Sequence, residues 1–130
     1  VTVGLSAVNT ANAWLNVISG TTFTGAAGSF IQLHTGDPGA SGTANVSSVT
    51  TRPSQTWNAA SAGSKSASGT PSWTSWAGTS PETVTHFSDW SASSAGTFYF
   101  SVTATAPKTV QTGDTLTLSS MSISQSPIAA

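Results

Sequence analysis

The feature that most constrains this chain is an apolar strand that runs straight into a turn, Phe30-Ile31-Gln32-Leu33-His34-Thr35-Gly36-Asp37-Pro38-Gly39. Phe30, Ile31 and Leu33 are bulky and partly β-branched, and favour a pleated, half-buried surface. Gly36-Asp37-Pro38-Gly39 can be absorbed by neither strand nor helix, so the chain must leave the core there. Asp accepts a hydrogen bond from the turn backbone, Pro sets φ at the first central position and Gly tolerates positive φ at the next. A long Ala/Ser/Gly-rich loop, 36–48, follows.

The rest of the chain repeats this pattern of short apolar runs and punctuation. After a short lead, Val1 to Leu5, Ser6 is a possible N-cap for a helix over 6–19 that places Val8, Ala11, Leu15 and Ile18 on one face, with Trp14 beside them and Gly20 as its stop. Asn9, Thr10, Asn12 and Asn16 are mediocre helix formers, so this helix needs a surface to lie on. The preferred reading has it capping one end of a sandwich; the other has it docking on a partner subunit. Residues 21–29 form a Thr/Gly linker, from which Phe23 could insert into the core.

Downstream, the sequence predicts strands over 46–51 and 54–58, the latter around Trp57, with Pro53 demoting its neighbourhood to an edge or turn. Residues 59–69 read as a flexible Ala/Ser/Gly loop carrying Lys65. Residues 70–77, with Pro71, Trp73 and Trp76, suit a strand near an edge. Glu82 to Trp90 alternates, and either face could be the inner one. Phe98, Phe100, Val102 and Ala104 alternate with Tyr99, Ser101, Thr103 and Thr105 in the cleanest period of two, which Pro107 is expected to end. A turn at Gly113-Asp114, one or two strands carrying Leu116, Leu118, Met121 and Ile123, and an apolar-tipped tail at 126–130 complete the chain. This predicts a single all-β domain over 1–130, an antiparallel β-sandwich with one short N-terminal α-helix.

Composition limits what such a domain can do. Leu, Ile, Val and Phe number 23 of 130 residues, against 46 Ser and Thr, so the aliphatic core is thin and the 5 Trp must supply bulk. Charged residues are 5% of the chain and the net charge is -1, which leaves little repulsion between copies. Three basic residues cannot neutralise a phosphate backbone, which argues against nucleic acid and anionic membranes as partners. The absence of Cys removes disulfides and thiolate chemistry. With no apolar run of spanning length and no basic, apolar start, the expectation is a protein made soluble in the cytoplasm.

Leu33-His34-Thr35-Gly36-Asp37-Pro38-Gly39, followed by Gly42-Thr43-Ala44-Asn45 and Arg52, resembles small virion proteins of tailed bacteriophages. These are variously described as tail-fibre, minor tail or capsid decoration proteins. The resemblance extends to Asn12-Ala13-Trp14-Leu15-Asn16, His86 to Trp90, Gly96-Thr97-Phe98 and Gly113-Asp114-Thr115-Leu116, and so covers most of the chain. It implies a structural virion role and a jelly-roll-like topology, and carries over no catalytic motif. The first expectation is a capsid decoration protein that binds the major capsid protein or other virion proteins as a homo-oligomer such as a trimer. The alternative is a minor tail or tail-fibre component. On either view the 36–48 loop and the N-terminal segment are the parts that reach other subunits.

Reactive chemistry finds little support. His34 with Asp37 and His86 with Asp89 share a His-x-x-Asp spacing, but on a strand that spacing puts the second pair on opposite faces, and Asp37 is explained as a turn former. The carboxylates Asp37, Glu82, Asp89 and Asp114 fall in or near turns rather than across a cleft, and 24 Ser make any Ser/His/Asp combination uninformative. No catalytic, cofactor-binding or metal residue is therefore assigned, and no cofactor is expected. Trp57, Trp73, Trp76 and Trp90 could form a platform for sugar rings, with Trp73 and Trp76 the pair most open to solvent, making a carbohydrate-binding module a third reading. The preferred role for them is core filling. Arg52 is expected to be a solvated loop charge rather than a bridge to an acidic neighbour or subunit.

Overall fold

The computed structural model describes residues 3–25 and 28–126. The first part of the N-terminal lead, 1–2, and the tail at 127–130 lie outside the described residues. A helical segment opens the fold, with a π-helical turn over Ala7–Ala11, helix α1 over Asn12–Asn16 and a 3₁₀ turn over Val17–Ser19. The Ser6 hydroxyl accepts from the Asn9 amide at 3.3 Å, and Gly20 closes the segment in the left-handed region at φ 84°. Seven strands follow, β1 (Phe30–His34), β2 (Ser64–Ser66), β3 (Ser72–Trp73), β4 (Glu82–Trp90), β5 (Phe98–Val110), β6 (Leu116–Thr117) and β7 (Ser122–Ser124). Every pairing is antiparallel, in a sheet ordered β1-β4-β5 and two ladders, β2-β7 and β3-β6. The fold is all-β with one short N-terminal helix.

The core lies between the three-stranded sheet and the β3-β6 ladder. Ile31, Leu33, Val84, Phe87 and Val110 from the sheet meet Trp73, Trp76 and Leu116 from the facing side, with Val49, Leu118 and Met121 packed at the margin. Indole bulk thus takes the place of missing aliphatics. On β4 both alternation sets contribute, because a bulge between Val84 and His86 shifts the phase and brings Val84 and Phe87 into the same core.

That bulge also corrects the expected end of β5, which runs through Pro107 to Val110. Val84 pairs with Lys108 and His86 with Thr103, so Thr85 alone faces the four residues from Ala104 to Pro107. Pro107 sits where no ladder N–H is required. The strands expected over 46–51 and 54–58 shrink to isolated bridges, His34 with Val46, Phe30 with Ser54 and Trp57 with Ala67. Pro53 interrupts them. Its carbonyl accepts from the Ile31 amide at 3.0 Å, but it returns no N–H.

Part of the 59–69 loop is structured instead. Ser61 and Ser64 exchange backbone hydrogen bonds of 2.9 Å across Ala62 and Gly63, both at positive φ, and β2 follows directly. This is a two-residue hairpin turn with Ala where Asn or Asp is usual, which hides it from sequence inspection. The 36–48 loop is folded back on its own sheet. Asp37 Oδ1 accepts from the Gly39 amide at 2.8 Å, and Asn45 Nδ2 donates to the Asp37 carbonyl at 2.8 Å. Glu82 holds the loop's exit, accepting from Ser47 Oγ at 2.6 Å and from the Ser48 amide at 3.0 Å.

Candidate functional site

The helical segment is attached to the sheet by its polar side. At the free edge of β5 the Tyr99 carbonyl accepts from the Ser6 amide at 2.7 Å and from Thr10 Oγ1 at 2.8 Å, while the Phe98 carbonyl accepts from Asn9 Nδ2 at 3.0 Å. The Gly4 carbonyl accepts from the Ser101 amide at 2.8 Å. Edge carbonyls would otherwise lack partners, and donors on Ser6, Asn9 and Thr10 meet that need. Thr10 is buried by this contact.

The apolar stripe is thereby turned outward. Val8 is 77% exposed, Leu15 64% and Ile18 86%, and Val17 lies open beside them. The expected helix is present, but its apolar face does not rest on the fold, because the sheet edge demands hydrogen-bond donors rather than methyl groups. Asn9 and Thr10, weak helix formers in sequence, are the residues that anchor the segment. Among the described residues the exposed large hydrophobics fall between Leu5 and Phe23, with Val46 on the 36–48 loop the exception. Phe23 is half-exposed and meets Trp14 edge-to-face at 6.5 Å rather than entering the core.

The two His-x-x-Asp pairs do not assemble. His34 and His86 are register partners on β1 and β4, but Asp89 pairs with Ile31 on the other face and Asp37 is spent in its turn. Among the described residues no group of three or more His, Cys, Asp or Glu could hold a metal ion. His34 is fully buried, with Nδ1 2.8 Å from the Ala44 carbonyl and Nε2 2.6 Å from Ser88 Oγ, which also accepts from Trp90 Nε1 at 2.8 Å. A carbonyl only accepts, so Nδ1 carries the proton and Ser88 donates to Nε2. The distance suits a nucleophile and its base, but burial of both residues keeps substrates away, and the chain of bonds serves the fold.

The tryptophans divide by position. Trp73 and Trp76 are 3% and 2% exposed, which corrects the expectation that they are the open pair and removes the sugar platform. Their Nε1 groups donate to the Thr51 and Thr79 carbonyls, so each is a satisfied core residue. Trp90 is buried beneath Arg52, whose guanidinium carbon lies 4.1 Å from the ring centroid. Arg52 Nε donates to Gln32 Oε1 at 2.8 Å and Nη1 to the Ala95 carbonyl at 2.8 Å, so it is a stacked, half-buried tether instead of a solvated charge.

Asp89 is the residue whose setting the sequence conceals. It lies within β4 rather than in a turn and is buried, its Oδ1 accepting from Ser29 Oγ at 2.5 Å, and Ser29 Oγ accepts from Trp57 Nε1 at 2.9 Å. Burial pushes its carboxyl up to about 6, opposed by the Ser29 hydroxyl and by the Trp90 and Phe30 backbone. It lines a cleft of about 770 Å³ between the helical segment and the β2-β7 ladder.

A family model, Podophage GP4 fiber I protein gp80, matches residues 4–126. The chain belongs to this fibre protein family. It is accordingly a structural protein of a phage virion, and the match spans the helical segment, the three-stranded sheet and both ladders. Comparison with curated proteins found no match. No helix among the described residues is long and apolar enough to cross a membrane.

Proposed function

We propose that this chain is a non-enzymatic subunit of a phage fibre, built into the virion by self-association through the outward-facing stripe of Val8, Leu15 and Ile18. The observation that carries this reading is the inverted helical segment, polar toward its own sheet and apolar toward solvent. Three side chains left in water on a rigid support cost free energy in the isolated chain, and burial against a neighbour recovers about 1.5–3 kcal/mol apiece. The low charge lets copies approach without desolvating ions.

A symmetric oligomer such as a trimer is the assembly we favour, since copies related by a rotation axis can bury this one apolar face together and close the assembly. Sequence reasoning placed capsid decoration ahead of a fibre role. The fibre role is put first here because the family whose model matches is described as a fibre protein. Antibody labelling of intact virions under the electron microscope tests the location. Label along the fibres supports the proposal, and label spread over the head shell returns the protein to decoration.

A further inference from the structure

The cleft beside the helical segment has a composition that docking by itself does not explain. Its volume of about 770 Å³ falls within the range of small-molecule sites, and five aromatic residues line it. Trp14 and Phe23 meet edge-to-face at 6.5 Å, and Trp57 and Phe100 meet edge-to-face at 6.2 Å. One buried carboxyl, Asp89, lines it with them.

A carboxyl set among rings is costly to ionise, and no cation among the described residues is a cause of its shift. Lys65, the one cation among the described residues that line the cleft, donates its Nζ to the Asn58 carbonyl at 2.8 Å. Ser29 occupies one Asp89 oxygen and is itself held by Trp57, so the carboxyl is oriented from one side only by side chains. Aromatic faces carry negative potential, and a carboxylate adds to it. The complement of such a site is a positive charge wrapped in alkyl groups.

We propose that this cleft binds an organic ammonium ion, with its charge set toward Asp89 and its alkyl groups against Trp14, Phe23, Trp57 and Phe100. The inference rests on the cleft and is independent of the fibre assignment. A metal ion would lack further ligands there, since no cluster of three acidic or imidazole groups exists among the described residues. A neutral apolar molecule would offer the carboxyl no charge to balance it beyond the Ser29 hydroxyl and the Trp90 and Phe30 backbone.

Choline and its uncharged isostere 3,3-dimethylbutan-1-ol are the probes, titrated into the full chain while the indole N–H resonances are followed by NMR. Choline is expected to shift the Trp14 and Trp57 signals saturably, to leave those of Trp73 and Trp76 in place, and to bind at least about tenfold more tightly than the alcohol. Asp89→Asn is expected to weaken choline binding by at least about tenfold. Trp14→Ala, at a half-buried position outside the core, is expected to weaken it as well, and carries the test if Asp89→Asn does not fold. Equal affinity for choline and the alcohol, unchanged choline binding in either folded variant, or no saturable shift would overturn the proposal.

Discussion

His34 Nε2 accepts a hydrogen bond from Ser88 Oγ across 2.6 Å, joining β1 to β4 through a fully buried pair. Burial pushes the imidazole below its ordinary value of 6.5, against the opposing pull of the Ala44 carbonyl. The folded state thus favours neutral His34, and this contribution is full above about pH 6.5 and lost as pH falls through the lowered value. Ser88→Ala removes the donor to His34 and the acceptor for Trp90 Nε1 together, and is expected to cost about 1–3 kcal/mol in urea unfolding. Nitrogen NMR is expected to show the proton on Nδ1.

Asp89 acts with the opposite sign. Its carboxyl, pushed up to about 6, holds a proton in the folded state at pH values where the unfolded chain has released it. Between about pH 4 and 6 the folded state binds more protons, so this contribution to stability is present in acid and lost as pH rises. Asp89→Asn removes it. Relative to that variant, the wild-type protein is expected to lose up to about 3 kcal/mol between pH 4 and 7, read from denaturant midpoints across the range.

Trp76 fills the core, and its truncation tests the role assigned to the tryptophans. Trp76→Ala leaves a cavity beside Trp73, Val84 and Leu116 and frees the Thr79 carbonyl. The expected loss is about 3–5 kcal/mol, seen as unfolding at much lower denaturant. A folded variant of native stability would show that this indole is not the core's filler.

Gly42 ties the 36–48 loop to the sheet. It sits at φ 72°, and a Cβ there would run into the Phe98 ring. Gly42→Ala combines a left-handed backbone with that collision, and is expected to destabilise the protein by about 1–3 kcal/mol in thermal or urea unfolding.

Much of this fold is legible in the sequence wherever local chemistry and tertiary context agree. β1 and its Asp-Pro-Gly turn, the strand character of β4 and β5 and the Ser6 and Gly20 helix ends all belong to that class. What is hidden depends on partners distant in sequence. Pro107 continues a strand because of a bulge opposite it at Thr85, and Ala62-Gly63 turns a hairpin because β7 waits to pair with β2. The site was the least legible part. Periodicity correctly groups Val8, Leu15 and Ile18, but which way that face points is decided by carbonyls of Phe98 and Tyr99, some ninety residues away. Asp89 likewise reads as one acid among four until Ser29 and Trp57 are seen to orient it.

The mass of the protein in solution, by light scattering on the purified 13.0 kDa chain and on Ile18→Asp, bears most directly on the assembly account. The wild type is expected to run as a closed oligomer with the mass of a small whole number of copies, and Ile18→Asp as a folded monomer that unfolds at lower urea than the assembled wild type. A wild-type protein that remains monomeric at high concentration, or an Ile18→Asp variant that keeps the wild-type mass, would contradict the claim that this exposed stripe is where copies meet.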